Sequence, residues 1–309
     1  MWRKKGRHRS SAAKHEPDPT ATLSSVAVLD LVTDDIRAGK INIAADCVAG
    51  ILVDLESRSR EGFKKYGTLL QTHACFSYST HDSSIARGGL AEIERLDQLG
   101  VLDERMLVVH SGWLEPQEVA MLAKRKPSLV CAPSSSLHNG YGNFVVGKLP
   151  ELMALGVNVA IGSDHASSGI VDMAQEVRLA CCCYKEMRLN PRVMPPETGI
   201  EMATVNGAKA ALMSNRIGSI ETGKEADVVL FDTQRPEWQP LINPVANLVY
   251  SATGDSVRDV FVAGEHVVAD GRMTKIDESK LYDEIPVAVT RFSKHLKVDQ
   301  MVQLRWPVS

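Results

Sequence analysis

From Thr68 to Asp164 four short apolar, β-branched runs alternate with three helical segments, with no hairpin signal between them. The runs are Thr68 to Cys75, Met106 to His110, Ser128 to Ala132 and Val157 to Ile161, and the intervening patterns predict helices over Ile85 to Gly100, Glu115 to Arg125 and Lys148 to Leu155. Strands separated by helices pair in parallel, because a parallel neighbour needs a crossover where an antiparallel one needs only a tight turn. The chain is therefore expected to be α/β. In such folds ligands gather beyond the C-terminal ends of the strands, and here two runs end on His73 and His110 while a third passes through Gly162 and Ser163 to Asp164.

Composition narrows the setting. With 309 residues, 44% of them hydrophobic, the chain can bury a large core, and a formal net charge of -3 gives no electrostatic footprint for nucleic acid or an anionic membrane. The basic cluster WRKKGRHR at Trp2 to Arg9 is expected to be a solvated tail. No run reaches the roughly 18 apolar residues of a membrane span, so a cytoplasmic protein is expected. Cys181, Cys182 and Cys183 are consecutive in a helical pattern. Adjacent helical positions point about 100° apart and cannot converge on one metal, so these cysteines read as small apolar residues in a reducing compartment.

The domain organisation follows the texture. Residues 1–22 are polar and Pro-containing and are expected to be a disordered tail; 23–213 carry the α/β pattern; 214–275 switch to short strands punctuated by glycines; 276–309 form a final amphipathic helix and tail. Leu23 to Ala49 is weakly helical in pattern, and Asp54 to Tyr66 reads as an exposed helix end. Beyond Asp164, helices are expected over Val171 to Leu189 and, as two short pieces broken at Asn206 and Gly207, over Pro196 to Met213. Short strands are expected at Leu248 to Tyr250, Val257 to Val262 and His266 to Ala269.

The ordered motifs QTHA, VVHSGWL, CAPSSS with a Gly-rich loop, GSDHASS, TVNGAKA and IGSIETGKEADVVLFD together resemble the amidohydrolase superfamily. The similarity is to its cytosine-deaminase-like branch, the group of methylthioadenosine/adenosylhomocysteine deaminases and triazine chlorohydrolases. The resemblance implies a TIM-type barrel with an attached β-sandwich and one divalent metal, zinc or alternatively iron. It assigns His73 and Asp164 as metal ligands. Asp164 also takes the proton of the attacking water, and His110 polarises the bond under attack. His165 and Ser136 are assigned to the substrate pocket, with a small heterocyclic ring as substrate. Imidazole nitrogen and carboxylate suit such a metal and such chemistry.

The sequence also departs from that pattern. Phe76 stands where the deaminases and chlorohydrolases carry a proton-shuttling glutamate; Tyr78, His81 and Asp82 are the polar groups nearby, with Asp82 expected to cap the following helix. No His-x-His occurs anywhere. A barrel needs about 31 residues per unit, so four further units would take about 125, whereas 67 residues precede Thr68. The expected fold is thus an incomplete TIM-type barrel, equivalent to strands five to eight, with a small C-terminal β-sandwich portion. Two functions remain open. One is a metal-dependent hydrolase of carbon–nitrogen or carbon–chlorine bonds on a ring. The other is a non-catalytic remnant, a truncated paralogue or gene-model fragment, that binds or forms a homo-oligomer without turnover.

Overall fold

The computed structural model describes residues 44–48, 69–164 and 170–296. Five parallel strands form one sheet: β1 (Ala44–Val48), β2 (Leu69–Ala74), β3 (Met106–His110), β4 (Ser128–Cys131) and β5 (Asn158–Ile161). Their order in the sheet is their order in the chain. Because parallel crossovers turn one way, a sequential order without reversal stacks the connecting helices on one face. The strand count exceeds the four expected: Ala44–Val48, which patterns as helix, pairs with Leu69–His73 as an added strand. The expected tail (1–22) and the expected helix end (Asp54 to Tyr66) lie outside the described residues.

The sheet alternates as a half-buried strand should. In β2, Leu70, Thr72 and Ala74 are buried while Gln71 and His73 are partly open. Leu70, Met106, Val108, Leu122, Leu129 and Leu152 belong to one continuous core between strands and helices.

Five local expectations are corrected. The span Ile85 to Gly100 is two helices, α1 (Tyr78–Gly88) and α2 (Glu92–Gln98). Gly89 divides them, closing α1 in a left-handed cap at φ 68. The start of α1 is capped by Ser77, reciprocally with Thr80, rather than by Asp82, which lies inside the helix. After α3 (Pro116–Arg125) and β4, the Ser- and Gly-rich stretch folds as α4 (Pro133–Asn139) and α5 (Asn143–Val146) rather than as loop. Pro133 sits in the first turn of α4, where its missing N–H costs nothing. Helix α6 (Leu149–Ala154) leads into β5.

Beyond β5 come α7 (Met173–Met187), α8 (Pro196–Ala203) and α9 (Val205–Ala210), then a four-stranded antiparallel sheet of β6 (Val228–Phe231), β7 (Val257–Val262), β8 (Glu265–Ala269) and β9 (Arg272–Met273). The fourth correction is that the break between α8 and α9 falls at Thr204, whereas Asn206 and Gly207 lie inside α9. The fifth is that Leu248 to Tyr250 is the end of helix α10 (Pro244–Tyr250), which Asn243 caps through Val245 N–H and Ala246 N–H. A final helix, α11, covers Glu278–Leu296. Among the described residues no helix is long and apolar enough to cross a membrane.

Asp172 joins the two parts. Its carboxylate accepts from Ala174 N–H at 2.9 Å and Gln175 N–H at 3.3 Å, capping α7, and from Gly254 N–H at 2.9 Å beside the second sheet. Burial alone would push this carboxyl up, but the three N–H donors and the Gln175 side chain hold it below its ordinary range. Asp172→Ala should cost about 1–2 kcal/mol in urea unfolding, with Asp172→Asn recovering most of it; equal losses for both would mean that side-chain acceptance is not what joins these elements.

Candidate metal centre

Strand register sets the geometry of the site. His73 lies beside Val109 and Ala74 beside His110 in the β2–β3 ladder. Laterally paired residues share a face of the sheet, so a regular pleat would send His110 to the face opposite His73. It does not, because β3 ends there: His110 takes the left-handed region at φ 78, followed by Ser111 at φ 50. The turn swings the imidazole across, and His110 Nε2 comes 3.1 Å from His73 Nδ1. Asp164, three residues past β5, is also left-handed at φ 67, and its Oδ2 lies 3.8 Å from His110 Nε2. Non-glycine residues in this region cost of order 1 kcal/mol each and cluster where geometry serves function.

One nitrogen of each histidine and one oxygen of Asp164 lie within 4.8 Å of one another. Two ligand atoms on a tetrahedral zinc stand about 3.3 Å apart, given metal–nitrogen bonds of about 2.0–2.1 Å. The two separations about His110, 3.1 Å to His73, a hydrogen-bond contact, and 3.8 Å to Asp164, bracket that spacing, and all three ligand atoms lie within 4.8 Å of one another, so the group could hold a cation. His73 is half-buried and His110 buried, as suits a site that must admit substrate yet keep its ligands dry.

Around these groups the chain supplies supports that sequence reading missed. Ser135 is fully buried in the first turn of α4, and its hydroxyl donates to Asp164 Oδ2 at 2.6 Å. Next to it, Ser134 donates through N–H to Glu176 Oε2 at 3.0 Å and through its hydroxyl to Glu176 Oε1, while that hydroxyl accepts from Ile170 N–H at 2.8 Å. The CAPSSS run thus links β4 to both Asp164 and α7; the clue was its position after the strand adjacent to β5. Ser136, assigned to the substrate pocket by resemblance, is buried on α4 and lines a groove with Leu137, Phe144 and Cys183; Ser135 is the serine that meets the carboxylate. His165 lies outside the described residues.

The left-handed Cys75 (φ 56) stitches β2 to the loop after β3. Its N–H donates to Glu92 Oε2 at 2.7 Å, and its carbonyl accepts from Gly112 N–H at 3.0 Å and Trp113 N–H at 2.9 Å. Glu118 behind it accepts from Ile93 N–H at 2.8 Å and Glu115 N–H at 2.9 Å. Burial raises the carboxyls of both Glu92 and Glu118.

Phe76 forms part of the wall: its ring centroid lies 5.6 Å from that of His110 and 5.2 Å from Tyr141, and Tyr141 meets His110 edge-on at 5.8 Å. Burial and then the charge of Asp164 raise the Tyr141 phenol. The three polar groups near Phe76 point elsewhere. Tyr78 is exposed against Trp113, His81 binds Glu115 at 3.1 Å, and Asp82 is exposed. A separate apolar cavity of about 600 Å³, bounded by Val177, Ile200, Val228 and Phe261, includes none of the His-His-Asp group.

A family model described as the amidohydrolase family matches residues 57–267. This chain belongs to that family. Within it, the chain falls in the deaminase-like branch. It is 38% identical over 197 residues to a 5-methylthioadenosine/S-adenosylhomocysteine deaminase of Pyrococcus furiosus, covering 63% of this chain and 46% of the relative. It is 34% identical over 220 residues to a 5'-deoxyadenosine deaminase of Methanopyrus kandleri, covering 71% and 50%. The chain therefore spans about half the length of the curated relatives it matches. An adenosine deaminase of Xanthomonas campestris, crystallised with bound zinc, superposes with a TM-score of 0.77 at 29% identity over 81% of this chain and 57% of that one. A zinc-containing atrazine chlorohydrolase of Arthrobacter aurescens gives 0.76 at 18% identity over 85% and 60%, a likeness of fold.

A buried carboxyl with a raised pKa favours its protonated form in the fold, so its stabilising contribution is present below the ordinary glutamate range near 4.5 and is lost as pH rises through the raised value. Glu92→Gln should therefore gain stability relative to the parent between pH about 4.5 and about 7.5. Urea unfolding at both pH values checks this, and a difference that is flat or falls with pH contradicts it.

Proposed function

We propose that the chain carries the strand-end half of a metal-dependent aminohydrolase site, on a sheet that is a segment of a TIM-type barrel. His73 and Asp164 hold one divalent cation, zinc first and iron as the alternative. His110 completes the set as a third ligand, a role favoured over pure bond polarisation by its 3.1 Å approach to His73. The observation that carries the reading is the convergence of these three groups within 4.8 Å. When bound, the cation supplies Lewis acidity that makes water a competent nucleophile near neutral pH.

The residues present account for orientation and proton movement. Asp164 is aimed by the Ser135 hydroxyl and takes a proton from the attacking water. Water oxygen bonds to the ring carbon, the exocyclic carbon–nitrogen bond breaks, and the amine leaves as ammonia with the proton returned to it. Phe76 and Tyr141 offer flat faces and edges to an aromatic ring. An amino-substituted purine nucleoside is the substrate class this supports, since the relatives named as deaminases share 34–38% identity while the chlorohydrolase likeness is one of fold.

Phe76 favours a second reading. Its ring stands 5.6 Å from His110 and cannot carry a proton to a leaving group, so the site would bind metal and ring without turnover. Ammonia release from 5'-deoxyadenosine and methylthioadenosine by zinc-loaded protein separates the two readings: release supports hydrolysis, and saturable binding without release supports the second.

Metal content tests the ligand set itself. About one zinc per chain is expected by elemental analysis, with His73→Ala and Asp164→Asn abolishing it, and Ser135→Ala, which removes only the support of Asp164, weakening zinc affinity by about 10–100-fold. His110→Ala should bind zinc more weakly while still loading at excess zinc; parent affinity with lost turnover would instead assign His110 to polarising the substrate. Zinc retained after loss of both His73 and Asp164 would contradict the site.

A further inference from the structure

Helix α11 is exposed along nearly its whole length, yet it is not polar all round. At about 100° per residue, Leu281, Ile285, Ala288 and Phe292 fall within a stripe about 60° wide, with Tyr282 and Val289 along one border. Phe292 is 62% and Tyr282 64% exposed. A helix with such a stripe ordinarily buries it, and the charges beside the stripe indicate against what.

The acids Asp283 and Glu284 lie in the first half of the helix, and Arg291, Lys294 and His295 in the second. Glu284 and Arg291 project from the same border of the apolar stripe, opposite Tyr282 and Val289. In an antiparallel pair related by a two-fold axis, each border meets its own counterpart. With the axis between Pro286 and Val287, Leu281 faces the partner's Phe292 and Ile285 faces the partner's Ala288. The same register sets Glu284 beside the partner's Arg291, twice over, and Tyr282 beside the partner's Val289. A parallel pair would instead set the border of Glu284 and Arg291 against the partner's border of Tyr282 and Val289 and leave both charges without a counterpart across the seam.

We infer that α11 is a self-association surface and that its occupant is α11 of a second copy of this chain, antiparallel, with Glu284 and Arg291 fixing the direction. The inference does not depend on the metal centre or on turnover.

Sedimentation velocity of the full chain over a concentration series tests it. The expected species has twice the 33.7 kDa chain mass. Glu284→Arg alone and Arg291→Glu alone should each raise the dimer dissociation constant on the order of tenfold or more, because each turns two attractions into two repulsions. The double variant should restore the parent value. Rescue by the double variant is the decisive result, since nothing but pairing between these positions predicts it. A monomer at every concentration, as when other residues of the chain cover the stripe, overturns the inference. So does a larger assembly, or a dimer whose strength ignores both reversals.

Discussion

Everything at the candidate site depends on how β3 ends. Parallel pairing fixes His73 and His110 on adjacent strands in registers that regular pleating would point to opposite faces. The left-handed backbone at His110 and Ser111 cancels the pleat at that point and delivers both imidazoles to one place. Such a conformation persists only when its surroundings enforce it. Here they do so through Cys75, whose peptide receives the loop after β3 by two N–H donors and is itself anchored on the buried carboxylate of Glu92. The third group, Asp164, is held in the same manner by a left-handed turn and a buried hydroxyl.

Two buried acids therefore serve as braces rather than as reagents. Glu92 fastens the end of β2, and Glu176 fastens the first turn of α4, from which Ser135 reaches Asp164. Glu176 accepts two hydrogen bonds from Ser134 and Glu92 one from Cys75 N–H, and such bonds are what make a buried carboxyl tolerable. Burial still raises both, so the scaffold behind the site is more comfortable protonated than ionised. The aromatic wall of Phe76 and Tyr141 leaves Asp164 as the carboxylate that faces the two histidines.

Much of this was legible in the sequence. The four apolar runs from Thr68 to Ile161 and the absence of hairpin signals specify parallel strands, and the strand-end positions of His73, His110 and Asp164 single out the three groups that the fold brings within 4.8 Å. The strand at Ala44–Val48 was not legible, since AADCV has neither strict alternation nor enough β-branched residues to stand apart from a helical background; its pairing with β2 decides it. Leu248 to Tyr250 is apolar enough for a strand, but the Asn243 cap and Pro244 next to it set a helix instead. Glu92, Glu118 and Glu176 carry no signal of burial in a one-dimensional reading, because a lone glutamate on a helix is ordinarily solvated. Ser135 could be told from Ser134 and Ser136 only once the first turn of α4 was seen to face β5.

The central claim is that three strand-end side chains, two of them imidazoles, converge on one cation. X-ray absorption at the zinc edge of the zinc-loaded protein tests it directly. The spectrum should show nitrogen and oxygen scatterers at about 2.0–2.1 Å, with the outer-shell signature of two imidazoles that falls to one in His110→Ala. A sulfur shell at about 2.3 Å, or a spectrum with no imidazole signature that the histidine substitutions leave unchanged, would contradict it.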